Sequence, residues 1–413
     1  MANKRFRGDA KIATDVWTWT ISSNTAAQTF SLARNGKTYG YVVVGGESTS
    51  DIATALQALL AASTEPEFVE YTWTVNTNVV TGTSKVAGRP ATFTKGGTGT
   101  STLTNATPAT GPRFWSNDNF DAATPGTGDD IYIFGTNVPI LYNLDQSGVA
   151  LGSVDISLSH EANIGNPPFN KNGTLYHEDR TRPLIITCTN LYLGTGSGRG
   201  GGCWYIKPAS TNIYVYGSGT SDDPNYHPIR MYNNSTTANL KIFGGQVDLD
   251  PYNIGGSNYT NVLVTGRGAC RSNRLTSMYD VVVEKQGSFF ATVVSGANAY
   301  NSLTMRDSAV VRIDGDGSAS LDTIPIVKLL GGRLDWTAIG KVSTFTIGAN
   351  ATLDTSNLVG QLTISNCTLA AGARIYDPNG KIVFTNAIVL SNCGLEDVDL
   401  TLGKNVTLQR TVS

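Results

Sequence analysis

The sequence predicts a mainly β protein, in which a small N-terminal α+β module precedes a right-handed parallel β-helix over residues 113–413. Two observations carry this. From about residue 185 onward, short apolar runs start on asparagine and stop at glycine: Asn190-Leu-Tyr-Leu-Gly194, Asn212-Ile-Tyr-Val-Tyr-Gly217, Asn239-Leu-Lys-Ile-Phe-Gly244 and Asn261-Val-Leu-Val-Thr-Gly266. Their starts lie 22, 27 and 22 residues apart (212−190, 239−212, 261−239). A unit recurring at that pitch describes stacked β rungs sharing one continuous core. The second observation is composition. Charged residues are only 15% against about 25% in an ordinary domain, and 45 of 413 residues are glycine. Thr, Ser and Asn supply most of the polar surface, which suits strands closed by tight turns.

The elements follow in chain order. Residues 1–95 form the module. Trp17-Thr-Trp-Thr-Ile21, Thr29-Phe-Ser-Leu32 and Tyr39-Gly-Tyr-Val-Val-Val44 alternate as strands do. Ser48 to Ser63 is its helix: a serine or threonine at 48–50 caps it, Asp51 sits in the first turn, and Ile52, Leu56, Leu59 and Leu60 share a face. Phe68-Val-Glu-Tyr-Thr-Trp-Thr-Val75 and Val79-Val-Thr-Gly82 make a hairpin. The Gly/Thr-rich stretch 96–112 predicts an exposed strand or linker. Residues 160–184 and 195–235, which include His160, Pro167-Pro168 and Gly194 to Gly202, are too irregular for rungs and predict loop insertions. Leu400 to Leu408 ends the body without a capping helix.

Charge and cysteine usage narrow the function. A net charge of −2 gives no basic face for nucleic acid. Met1-Ala-Asn-Lys-Arg-Phe-Arg7 lacks the apolar stretch of a signal peptide, and no run approaches a membrane span, so assembly in a cytoplasm is expected. Cys188, Cys203, Cys270, Cys367 and Cys393 are odd in number and contain no CxxC pair, so neither a disulfide framework nor a zinc site is indicated. Thr363-Ile-Ser-Asn-Cys367 returns as Val389-Leu-Ser-Asn-Cys393, offset by 26 (389−363). One turn of helix between them would bring Cys367 and Cys393 within disulfide reach, although stacked buried thiols are the expected state.

At Phe114-Trp-Ser-Asn-Asp-Asn-Phe120 and Pro125-Gly-Thr-Gly-Asp-Asp-Ile-Tyr-Ile-Phe-Gly135, aromatics bracket a polar turn and a Gly-Asp pair launches a strand. An open solenoid end needs closure, and rings over the first rung supply it. With Leu141 to Val149 and Phe6-Arg-Gly-Asp-Ala10, this segment resembles the start of β-helical domains in phage virion and bacterial surface proteins. Phe120 stands where a tryptophan is more usual. The whole chain resembles a tailed-phage structural protein of the β-helix type, a likeness that brings no catalytic residues and implies no cofactor.

His177-Glu178-Asp179-Arg180, with Arg182 nearby, can supply an acid/base pair or metal ligands; a salt-bridged loop accounts for the same side chains. Gly196-x-Gly198-x-x-Gly201 matches a dinucleotide fingerprint but lacks the helix that would receive a phosphate, and reads as a flexible loop. Asp314, Asp316 and Asp322 alternate as calcium ligands do, yet the glycine is misplaced and the closing glutamate absent, so a turn is expected. Asp248 and Asp250 suggest a similar turn, and Arg7-Gly8-Asp9 is too short a match to carry adhesion. Asp314 with Asp335, or Asp335 with Asp354, has the rung offset a glycosidase pair would need. Tyr214, Tyr216, Tyr226 and Tyr232 can stack on sugars or fill inner stacks, and inner stacking is expected.

These readings converge on a non-enzymatic virion protein, displayed as a head decoration, collar or tail-associated fibre. Its expected partners are capsid, collar or tail proteins and a surface glycan. A polysaccharide-degrading tailspike and a cellular adhesin are the alternatives. Exposed strand faces and an open C-terminal end predict a homo-oligomer, with three copies favoured. A truncation starting near Gly111 is expected to keep the body folded.

Overall fold

The computed structural model describes residues 2–121, 123–171, 174–176, 178, 180–221, 225–231, 238–252, 257–272, 275–293, 300–315 and 323–403. The chain is 6% helical and its body is a parallel β-solenoid of about 10 turns. At 4.8 Å per rung that is a rod about 50 Å long. The repeat read from the sequence is the physical rung. Asn190 pairs in register with Asn212, Asn212 with Asn239, and Asn239 with Asn261. The stack then continues through Asp280 and Ser302.

Period-2 alternation sends every second side chain inward. On one sheet Leu191, Ile213, Leu240, Val262, Val281, Leu303, Val327, Phe345 and Cys367 form a single buried column. On the other, Val247, Cys270, Phe289, Val311, Leu334, Leu353 and Ile375 do the same. Each fully buried large aliphatic or aromatic side chain contributes roughly 1.5–3 kcal/mol. The corners turn tightly enough to demand glycine. Gly194 has φ +73°, and a Cβ there would collide with the Gly217 carbonyl one rung away.

The module contains two antiparallel sheets. One runs Tyr71–Asn76, Val79–Ser84, Val16–Ile21, Ser101–Thr107, and the other Lys37–Val42, Thr29–Arg34, Thr94–Gly96. The helix Thr49–Ala61 begins with a Ser48/Asp51 capping box and buries Ile52, Ala53, Leu56 and Leu60. Leu59 faces outward instead.

Three expected boundaries are corrected. First, of the exposed strand or linker expected over 96–112, the strand is present and a linker is not. Ser101–Thr107 pairs with Val16–Ile21, and the buried Asp15 carboxylate accepts from Asn105 Nδ2 at 3.0 Å and Ala109 N at 3.2 Å. The strand exposes a threonine face, which is why it reads as low complexity. Second, the chain start belongs to the body rather than to a 1–95 module. Asn3–Arg5 pairs in parallel with Asp130–Tyr132, and buried Phe6 meets Phe120 edge-on with centroids 5.6 Å apart. Trp115 and Phe120 complete this closure at 5.1 Å. The module is thus inserted within the body's first rung, which removes the basis for a clean cut at Gly111. Third, the expected insertion 195–235 contains a rung strand, Trp204–Val215, in register with Leu184–Thr195. A second, Ile229–Met231, pairs with Trp204–Ile206.

The cysteine register also differs. Val389 pairs with Thr368, an offset of 21 (389−368), so Cys393 does not lie over Cys367. All five cysteines are free; Cys367 is buried against Phe345 in the register, and burial pushes its thiol up to about 12. Among the described residues, no helix is long and apolar enough to cross a membrane.

Candidate functional site

A solenoid offers chemistry only on its outer columns and loops, and here the outer columns of the first rungs carry the densest array of polar and aromatic groups. Asn190, Asn212, Asn239 and Asn261 form an amide ladder. Each Nδ2 donates to the preceding Oδ1, at 3.1, 3.3 and 2.7 Å. The same column carries Ser153, whose hydroxyl donates to Asp130 at 2.6 Å, and Ser302, which donates to Asp280 at 2.6 Å. Repeating one amide at one register position lets every member be both donor and acceptor.

Two residues along each strand lies a second column: Tyr132, Asp155, Tyr192, Tyr214, Lys241. The Tyr192 and Tyr214 rings stack at 5.2 Å and 13°, and the Lys241 ammonium lies 5.7 Å from the Tyr214 centroid. At the next corner Tyr216 and Phe243 stack at 5.3 Å and 19°. Tyr214 and Tyr216 therefore point outward, against the expectation that they fill inner stacks. Each has one face covered by the ring on the neighbouring rung, Tyr192 for Tyr214 and Phe243 for Tyr216. Asp155 sits in register between Tyr132 and Tyr192. Burial raises its carboxyl above the usual range, against the opposing hydrogen bond from the Thr195 hydroxyl.

A third column, on the other sheet, is ionic. Asp248 is fully buried; it accepts from His227 N at 2.6 Å and from Arg271 Nη2 at 2.6 Å, and meets His227 Nδ1 at 3.0 Å. Burial alone would raise its carboxyl, but the histidine and arginine hold it below the usual range. Arg271 also donates to Asn225 O, and Arg230 to His227 O at 3.1 Å. Asp248 lies in the strand Gln246–Leu249, with the expected turn following from Asp250, and is a buried hub that staples residues 225–227 to the rungs.

The remaining sequence candidates are placed as follows. Asp335 and Asp354 do lie on adjacent rungs, and Arg333 binds both, at 2.5 and 2.8 Å. Asp314 accepts from Arg312 at 2.6 Å and from Thr337 at 3.0 Å, whereas Asp316 and Asp322 lie outside the described residues. His177, Asp179 and Tyr232 also lie outside them. Glu178 pairs with Arg180 at 3.1 Å, and Arg180 reaches across to Glu70 of the module at 3.1 and 3.2 Å. Gly198 and Gly201 belong to a loop that packs on backbone 158–161. Arg7-Gly8-Asp9 follows Phe6 in the end closure, with Gly8 against Val138. Tyr226 packs on Tyr252 at 5.0 Å beneath Arg230. No cluster of three or more metal-ligating side chains occurs among the described residues.

Asp155, His227, Arg271 and Glu70 were not singled out from sequence. Their partners are 19 to 110 residues distant (89−70, 180−70), and no local motif marks them. The one available signal was the rung offset: Asp248 and Arg271 stand 23 apart (271−248). No described protein family matches the chain, and no curated protein shows significant similarity to it.

Proposed function

We propose that this chain is a non-enzymatic structural protein of a tailed-phage virion, with its β-helix body projecting as a head decoration, collar or tail-associated fibre that serves host-surface adhesion. One observation carries the reading. The outer columns are consumed in rung-to-rung contacts: amide to amide, ring to ring, arginine to aspartate. Such ladders stiffen a rod and leave few groups poised for chemistry. The segment that resembles virion β-helices supports it, since Trp115 and Phe120 close the first rung there.

The protein is made in the host cytoplasm and joins capsid, collar or tail proteins. It associates with copies of itself, as a trimer. Exposed Val359 (62%), Val389 (57%), Leu395 (50%) and Tyr376 (44%) gather on the last rungs and would be covered there. The test is particle composition. The protein should co-sediment with gradient-purified virions at a copy number divisible by three. Recovery only from the particle-free lysate overturns the reading.

A second reading, a polysaccharide-degrading tailspike, is favoured by Asp155 alone, a carboxyl raised by burial between two tyrosines, as a general acid requires. Purified protein that depolymerises host surface polysaccharide, and loses this on Asp155→Asn, would establish it.

A further inference from the structure

Where the module meets the body, two adjoining hollows of about 940 and 240 Å³ share Leu141, Tyr142 and Arg180 as common wall. The larger lies in the range of small-molecule sites. Four arginines line the pair: Arg89, Arg113, Arg180 and Arg182. Two are ion-paired: Arg89 and Arg180 share Glu70 with Arg34, at 3.0 and 3.1 Å, and Arg180 also binds Glu178. Arg113 and Arg182 are exposed, and among the described residues neither makes a direct ion pair, although Asp145 on the wall of the smaller hollow lies within electrostatic reach of Arg182. The rest of the larger wall is mixed: Glu67, Glu178, Asn35 and Asn166 are polar, while Pro66, Pro112 and Pro167 offer C–H surface and no backbone N–H.

We propose that this cleft binds an acidic saccharide, one bearing carboxylate groups, through Arg113 and Arg182. A planar guanidinium matches a carboxylate with two parallel hydrogen bonds. The Tyr142 ring and the prolines suit the C–H faces of a pyranose. A peptide is the poorer occupant, because prolines on the wall cannot donate to its backbone. The proposal rests on the adhesion part of the proposed function and names its ligand class; binding is measured on the isolated protein, so its failure is distinguishable from a failure of virion incorporation.

The experiment is a glycan array probed with the full-length protein, carrying uronate-containing, sialate-containing and neutral oligosaccharides. Titration calorimetry of the retained oligosaccharides and of a glutamate-rich peptide follows. Carboxylated oligosaccharides should be retained over neutral ones. Arg113→Ala should weaken binding about tenfold and Arg113→Ala/Arg182→Ala should abolish it, with circular dichroism unchanged because both side chains are exposed. Arg374→Ala, on an exposed site near the opposite end of the body, should bind as the parent does. The proposal is overturned if no carboxylated glycan is retained above neutral ones. It is equally overturned if the double variant binds undiminished, or if the peptide binds more tightly than the saccharides.

Discussion

At the scale of single residues, His160 has the most testable chemistry. Its side chain is fully buried and neither ring nitrogen makes a hydrogen bond of acceptable geometry. Burial lowers its pKa from 6.5 to about 4, and the Thr136 backbone offsets only part of that cost. The folded value lies below the unfolded one, so between these limits the unfolded chain binds a proton that the native chain does not. Stability should therefore fall as pH drops from 6.5 towards 4, by about 1.4 kcal/mol per unit. Urea midpoints across this window should follow that slope, and His160→Leu should flatten it. In the amide ladder, Asn239 both donates to Asn212 and accepts from Asn261. Asn239→Ala should cost about 1 kcal/mol in the same assay. The ladder was legible in the sequence as recurring strand starts, because one amide at one offset is a local and countable signal. The Asp248 hub was not, because a buried carboxylate is defined by what covers it, and His227 arrives from a loop of irregular length.

Among the elements, the first strand and the module latch are where sequence reasoning ran out. A three-residue strand, Asn3–Arg5, has no periodicity to read, and its partner lies 127 residues away (130−3). Phe6→Ala should cost roughly 3–5 kcal/mol, since the ring is wholly buried between Phe120 and its neighbours. Deleting residues 1–10 should loosen the body more than excising residues 11–110 with a short bridge, and thermal midpoints of the two variants rank them. The latch is Glu70, which gathers Arg34, Arg89 and Arg180 at 3.0–3.1 Å. Burial opposes its charge, yet these arginines hold its carboxyl below the usual range. Its folded pKa is depressed, so its stabilisation is complete above 4.5 and disappears as pH falls through the folded value. Calorimetry at neutral pH should show module and body melting together, and acid, or Glu70→Gln, should separate them into two transitions.

For the whole molecule, the fold class was readable because a solenoid repeats its evidence: each rung restates the same polar start, apolar core and glycine stop. The inserted module hid its own boundaries by borrowing polar, threonine-rich strands. Sedimentation equilibrium at micromolar concentration should give three times the 43.7 kDa chain mass, with Val389→Asp shifting it towards monomer. The central claim, a rigid virion rod of stacked and self-bonded rungs, is met most directly by an electron-microscopy map of the phage particle. The account predicts threefold clusters of β-helical rods, each about 50 Å long with about 10 rungs at 4.8 Å spacing. A particle map that leaves no density for this chain, with the protein found instead as a free lysate component, would contradict it.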